Sequence, residues 1–225
     1  MIVENSPRIF LISFIFVVII TVVSWISMRL PGNINVSDIY SRLASGELPG
    51  YRIIYTNFRP LGVILALFLL LLQPVFDVGF ISYCLKILRR QKTEIKDILN
   101  GFLFFSKVIF LFITTTIMIF LWSLLFIIPG IIASYRYRQV YYILLDDPKK
   151  GVLQCITESK FLMNGRKVDL FIIDFSFIGW YILDLVIATL SPLPFALPIV
   201  SVWLSPYMGL TRAAFYEYQI ANMAV

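Results

Sequence analysis

Two long uncharged runs constrain this chain more than anything else in it. Residues 9–28 (IFLISFIFVVIITVVSWISM) place 20 residues without Asp, Glu, Lys or Arg between Arg8 and Arg29, and residues 108–128 (VIFLFITTTIMIFLWSLLFII) place 21. At about 1.5 Å per residue, a helix of either length matches the ~30 Å hydrocarbon core of a bilayer. In that medium every backbone N–H and C=O must be bonded internally, so such runs are expected to be helices. Run 9–28 lacks the short apolar core and the small-residue cleavage site of a signal peptide, and is expected to be an uncleaved span.

Composition extends the argument to the rest of the chain. Hydrophobic residues make up 60% and charged residues 14%, with a mean hydropathy of +0.88. Soluble domains carry about a quarter charged residues. The formal charge of +6 is therefore read as a topology signal and as attraction to anionic headgroups. No basic stretch is long enough, or free enough of the apolar runs, to serve as a nucleic-acid face.

Histidine is absent and there are only two cysteines, Cys84 and Cys155. The commonest metal ligand and the usual general base near neutral pH are thus missing. HExxH and a serine-protease-like triad are impossible without histidine, and GxSxG, GxxxxGK[ST] and GxGxxG do not occur. The chain is expected to be non-enzymatic, with no cofactor, no metal and no disulfide framework.

The expected fold class is all-α: a polytopic transmembrane bundle of about six spans with two short amphipathic cytoplasmic helices. The spans are expected at about 9–28, 61–85, 108–128, 131–145, 170–190 and 199–220. Residues 31–60, rich in turn signals, make an extracytoplasmic loop. The second span is interrupted by Gln73, Pro74 and Asp77, and the last is bent or broken at Pro206. The amphipathic helices fall at 93–105, where Ile95, Ile98, Leu99 and Phe102 share helical spacing, and at 148–164, where Val152, Ile156, Ser159 and Met163 do. Asp146-Asp147-Pro148 reads as the start of the latter helix and Asn164-Gly165 as its stop.

Pro129-Gly130 is expected to form a tight outer turn between spans 108–128 and 131–145. Charge supports it. With the N- and C-termini cytoplasmic, thirteen Lys and Arg fall inside and four outside, in line with the positive-inside rule. Without a span at 131–145, the two strongly basic loops would lie on opposite faces.

Charged side chains inside a bilayer cost about 2.5–3.5 kcal/mol each on insertion scales, so each needs a partner or water. Counting helix rise from the Pro-Gly turn places Arg136 and Arg138 in the outer third, level with Asp184. Asp77, Asp174 and Arg212 fall together in the inner third. Two polar clusters are expected: Arg136, Arg138 and Asp184, and Asp77, Asp174 and Arg212. They are read either as static pairs that fix helix register or as a path for a proton, ion or anionic headgroup.

The run from LWSLLFIIPGII through DDPKKGVLQCITESKFLMNGRK to SPYMGLTRAAFYEY resembles a bacterial integral-membrane family, domain of unknown function 975. The resemblance rests on Trp122, Pro129, Gly130, Asp147, Pro148, Ser159, Met163, Gly165, Pro206, Tyr207, Phe215 and Tyr216, and covers roughly residues 73–218. It implies a multi-helix inner-membrane protein without an assigned activity. The chain is accordingly expected in the plasma membrane of a bacterium as an accessory or interaction protein, with membrane lipids and another membrane protein or a second copy as partners. A small transporter using the intramembrane charges is the alternative, and a lipid-modifying enzyme the remote third.

Overall fold

The computed structural model describes residues 60–190 and 199–223, together with Phe14 and Val18. Most of the expected span 9–28, the loop 31–60 apart from Pro60, and the turn at 191–198 lie outside the described residues. The chain divides into two compact units, residues 18–73 and the remainder with Pro74 onward. Of the first, Pro60–Gln73 is described as helix, with Ile64, Leu67, Phe68 and Leu70 exposed. All that follows concerns the second unit.

Every regular element among the described residues is helical. Helix α1 runs Pro60–Leu88 without a break, so the expected interruption at Gln73 to Asp77 does not occur. Pro74 removes one N–H donor from the ladder, a loss that membrane helices tolerate where neighbours re-satisfy the backbone. A 3₁₀ turn, Ile95–Leu99, and a single-turn α2, Asn100–Leu103, precede α3, Phe105–Leu125. The amphipathic helix expected over 93–105 is therefore not one helix. Asp97 folds back to accept the Glu94 backbone N–H at 2.8 Å and the Lys86 ammonium at 2.6 Å, which holds this segment in tight turns.

Two glycines seat that segment on α1. A Cβ on Gly79 would stand 1.7 Å from the Ile98 carbonyl oxygen, and one on Gly101 would stand 1.9 Å from the Val75 carbonyl oxygen. Backbone meets backbone here, and no side chain fits between.

After α3, Phe126 alone is extended (φ −161°, ψ 154°), and α4, Ile127–Arg136, folds back along α3. The turn thus lies at Phe126, not at Pro129-Gly130. Pro129 is the third residue of α4, in the first turn, where a missing N–H costs no helix bond. Gly130 is a contact point instead: a Cβ there would meet Ser123 Oγ at 2.1 Å.

Helix α4 ends at Arg136, and α5, Val140–Asp146, resumes after a break at Tyr137–Gln139. The buried hydroxyl of Ser159 fills the break, donating to the Arg136 carbonyl (2.9 Å) and accepting from the Gln139 N–H (3.3 Å). Ser159 belongs to α6, Val152–Leu162, which buries Cys155, Ile156, Ser159 and Leu162. Helix α6 begins four residues later than expected. Asp147 accepts the Lys149 N–H at 3.1 Å, and Lys107 donates to the carbonyls of Pro148 and Lys150. These bonds commit 147–150 to a turn. At the other end Gly165, at φ +76°, closes α6 in the left-handed region as its sequence implies.

Helices α7, Lys167–Ser176, and α8, Ile178–Leu190, are separated only by Phe177. Helix α9, Ile199–Ala221, passes through Pro206 without a break. A small core of Met163, Leu170 and Phe215 joins α6, α7 and α9, with Tyr135 and Ile173 against it.

Among the described residues three stretches are long and apolar enough to cross a membrane: Leu67–Leu88, Phe105–Leu125 and Lys167–Ile187. They correspond to the expected spans 61–85, 108–128 and 170–190. The expected span 131–145 is two short helices, and α9 carries Ser205, Thr211, Arg212 and Glu217 along its 23 residues. Neither is among the three.

Candidate functional site: a shared carboxylate among three helices

Charges that the sequence sets within apolar segments gather around Asp174 in α7. Arg212 of α9 reaches its Oδ1 through Nε (2.9 Å) and Nη2 (2.8 Å). Its Oδ2 accepts the Tyr135 hydroxyl (3.3 Å) from α4, and Arg138 Nη2, in the break between α4 and α5, lies 3.8 Å away. The Tyr135 ring is held edge-on by Phe171 at 5.8 Å. Asp77 of α1 lies within the electrostatic reach of Arg138 and Arg212. The Asp174 carboxylate thus faces two guanidiniums, and such opposite charges on neighbouring helices offset the cost of burying either.

Of the residues singled out in the sequence, Asp174 and Arg212 are brought together, Arg138 joins them, and Asp77 makes no ion pair among the described residues. Arg138 does not pair with Asp184. The depth argument placed Arg138 too high because it counted from Pro129-Gly130. Moving the turn to Phe126 shifts Arg138 by four residues, about 6 Å, away from the level of Asp184 and toward that of Asp174. Asp184, on α8, accepts the backbone N–H of Val200 at 3.2 Å. That N–H is one of the orphan donors in the first turn of α9, where an acid also complements the helix dipole. Among the described residues Arg136 makes no ion pair, and its Nε is buried without a partner.

A second charge network, at the far ends of α1, α5 and α9, was visible in the sequence only as scattered loop charges. Arg89 bonds Asp146 (2.7 Å) and Glu217 (2.7 Å), and the Tyr216 hydroxyl donates to Asp146 at 2.7 Å. The hydrogen bond to Asp146 is the main reason the Arg89 guanidinium holds its proton above its ordinary range. The only hint in sequence was position, since all three residues end apolar helices.

A third buried feature surrounds Met163. The side-chain amides of Gln139 and Gln219 both approach its sulfur, at 3.6 and 3.4 Å, and Gln219 also donates to the Leu162 carbonyl. These glutamines are 1% exposed, and nothing in the local sequence marks them as buried. Among the described residues no three Cys, Asp or Glu side chains cluster as metal ligands do.

Among the described residues every regular element is helical, and three helices are long and apolar enough to cross a membrane. Residues 124–222 match a protein family of unknown function, DUF975, which is the family the sequence motifs resemble. The match begins at the α3–α4 turn, later than residue 73, where the resemblance began. No curated protein and no solved structure matches the chain. The motif residues have structural work: Gly130 lets α4 approach α3, Ser159 fills the α4–α5 break, Met163 anchors the core, Gly165 closes α6, and Tyr216 holds Asp146.

Proposed function

We propose that the chain is a six-span protein of a bacterial plasma membrane, with both termini cytoplasmic, that acts as a non-enzymatic accessory or interaction partner of other membrane components. The observation that carries this reading is the Asp174 carboxylate shared by Arg212, Arg138 and Tyr135. A group engaged this way fixes helix packing and has little left for a substrate. In this reading α4 and α5, about 25 Å of helix with a break of three residues between them, form the fourth span, and α9 forms the sixth. The span Lys167–Ile187 supports an interaction role, because only 6% of it is buried within the chain. Its apolar surface is open to lipid, a second copy or another membrane protein.

A small carrier is the second reading, favoured by one detail. Arg138 is the least tightly held of the cluster, 3.8 Å from Asp174 with its side chain 43% exposed. Reconstitution separates the two. Full chain in liposomes loaded with a pH-sensitive dye should pass no more protons than empty liposomes, while in-membrane crosslinking captures a defined partner. Flux that disappears in Arg138→Ala would establish the carrier instead.

A further inference from the structure

Some basic residues of the described segments are ion-paired and others are not. Lys86, Arg89, Arg138, Lys150 and Arg212 each meet a carboxylate. Lys160 and Arg166 meet none among the described residues. Each lies over a tyrosine ring instead, Lys160 Nζ at 5.7 Å from the centre of Tyr137 and the Arg166 guanidinium carbon at 5.4 Å from that of Tyr218. Lys160 is in the last turn of α6, and Arg166 immediately precedes α7. Arg166 therefore stands at the start of the span Lys167–Ile187, and Lys160 at the end of the helix before it. The Ser159 bond to the Arg136 carbonyl brings the backbone of Arg136 against the residue next to Lys160, and Arg136 Nε is a buried donor with no partner among the described residues.

Around these cations the surface is apolar. Leu153 and Phe161, two turns apart on α6, are 68% and 70% exposed, Val168 is exposed at the start of α7, and Tyr218, the ring under Arg166, is exposed as well. Asp169, in the first turn of α7, is the one exposed acid in this stretch. A helix with one face on the core, large apolar side chains on another and cations seated on aromatic rings suits the boundary between headgroups and acyl chains. Cations there attract the phosphate of anionic lipids, while neutral headgroups gain nothing from them.

We infer that Lys160 and Arg166, with Arg136 behind them and Phe161 as the apolar anchor, form a docking surface for the phosphate headgroup of an anionic phospholipid in the cytoplasmic leaflet. This rests on the reading that Lys167–Ile187 spans the membrane with Lys167 on the cytoplasmic side.

The test uses the full chain in neutral detergent, titrated with phosphatidylglycerol or phosphatidylcholine and read by native mass spectrometry as bound lipid. Phosphatidylglycerol is expected to bind preferentially. Lys160→Gln and Arg166→Gln should each weaken it about fivefold, the fold-change corresponding to ~1 kcal/mol per basic side chain near an anionic leaflet. Lys160→Arg should retain binding, and Lys92→Gln and Lys96→Gln, at exposed lysines elsewhere, should leave it unchanged. Equal binding of phosphatidylcholine, an equal loss in Lys92→Gln, or displacement of the lipid by equimolar inorganic phosphate would overturn the inference. Carbonate extraction of membranes separates the two layers of argument. A chain that resists extraction but shows no lipid preference sinks the docking surface alone, whereas a chain that is extracted sinks the spanning reading as well.

Discussion

Arg212 and Asp174 lie 38 residues apart in sequence, yet two guanidinium nitrogens of one meet a single carboxylate oxygen of the other at 2.8 and 2.9 Å. The pair ties α9 to α7, and removing one partner leaves the other charge uncompensated among apolar helices. Breaking a buried pair costs about 3–5 kcal/mol; the partial exposure of these side chains, 16% and 25%, argues for the lower end. Asp174→Asn should therefore lower the thermal midpoint of the detergent-solubilised chain by on the order of 10 °C. The double variant Asp174→Asn/Arg212→Gln should recover part of that loss. A single variant as stable as the parent would show that the pair does not hold α9 in place.

Asp184→Asn should behave differently, because Asp184 bonds the first turn of α9. An asparagine oxygen still accepts the Val200 N–H, while the charge–dipole attraction, about 0.3–1 kcal/mol, is lost. Thermal denaturation of Asp184→Asn and Asp184→Ala side by side checks this: asparagine should cost clearly less than alanine. Equal losses would mean that the carboxylate charge, not the hydrogen bond, matters there.

The three membrane-length helices were legible because composition alone decides where a bilayer-length apolar run lies. Predicted spans 61–85, 108–128 and 170–190 and the helical stretches Leu67–Leu88, Phe105–Leu125 and Lys167–Ile187 agree to within a few residues at most ends. The charge partners were less legible. Pairing by depth depends on where a turn falls, and Pro129-Gly130 reads equally well as a turn and as the first turn of a helix. Proline favours that first turn, so the chain reverses before it, at Phe126. The Ser159 bridge and the Gln139–Met163–Gln219 contact were invisible for another reason. Each depends on a tertiary approach that no local pattern encodes.

Close backbone approach gives a sharper prediction at Gly79. Because a Cβ there would overlap the Ile98 carbonyl at 1.7 Å, no rotamer change can relieve it, and the 95–103 segment must move off α1. Gly79→Ala should cost at least the ~1–3 kcal/mol typical of overpacking. It should also free Lys86 from Asp97, which now lie 2.6 Å apart. Limited proteolysis after Lys92 or Lys96 reads this directly: cleavage should be faster in Gly79→Ala than in Gly165→Ala. Equal rates would mean the two backbones are not locked together.

Cys155 is fully buried on α6, and burial pushes its thiol above the ordinary value of 9.0, with Glu158 adding to the shift. The folded chain thus keeps this proton to higher pH than the unfolded chain does. The resulting stabilisation is complete below the unfolded value and is lost as pH rises through the folded one. The thermal midpoint should fall faster above about pH 9 in the parent than in Cys155→Ala. At neutral pH Cys155 should also react with a maleimide far more slowly in mild detergent than in denaturant. Rapid labelling of the folded chain would contradict the burial of α6 on its core.

That inertness makes the parent a usable background for testing the six-span arrangement, since Cys84 is buried as well. The reversal at Phe126 and the turn at 147–150 lie at opposite ends of the segment formed by α4 and α5. Ile131→Cys, 48% exposed on α4, and Lys149→Cys, exposed in the 147–150 turn, probe those two ends without touching Gly130. In sealed right-side-out vesicles, a membrane-impermeant maleimide should leave Lys149→Cys unlabelled until the membrane is broken. Ile131→Cys should react from outside, slowly, because the residues around it are apolar and sit at the hydrocarbon edge. If both positions react from the same side, α4 and α5 do not cross the membrane together. The basic loops at 86–107 and 146–169 would then face opposite compartments, and the positive-inside argument for six spans would fail with them.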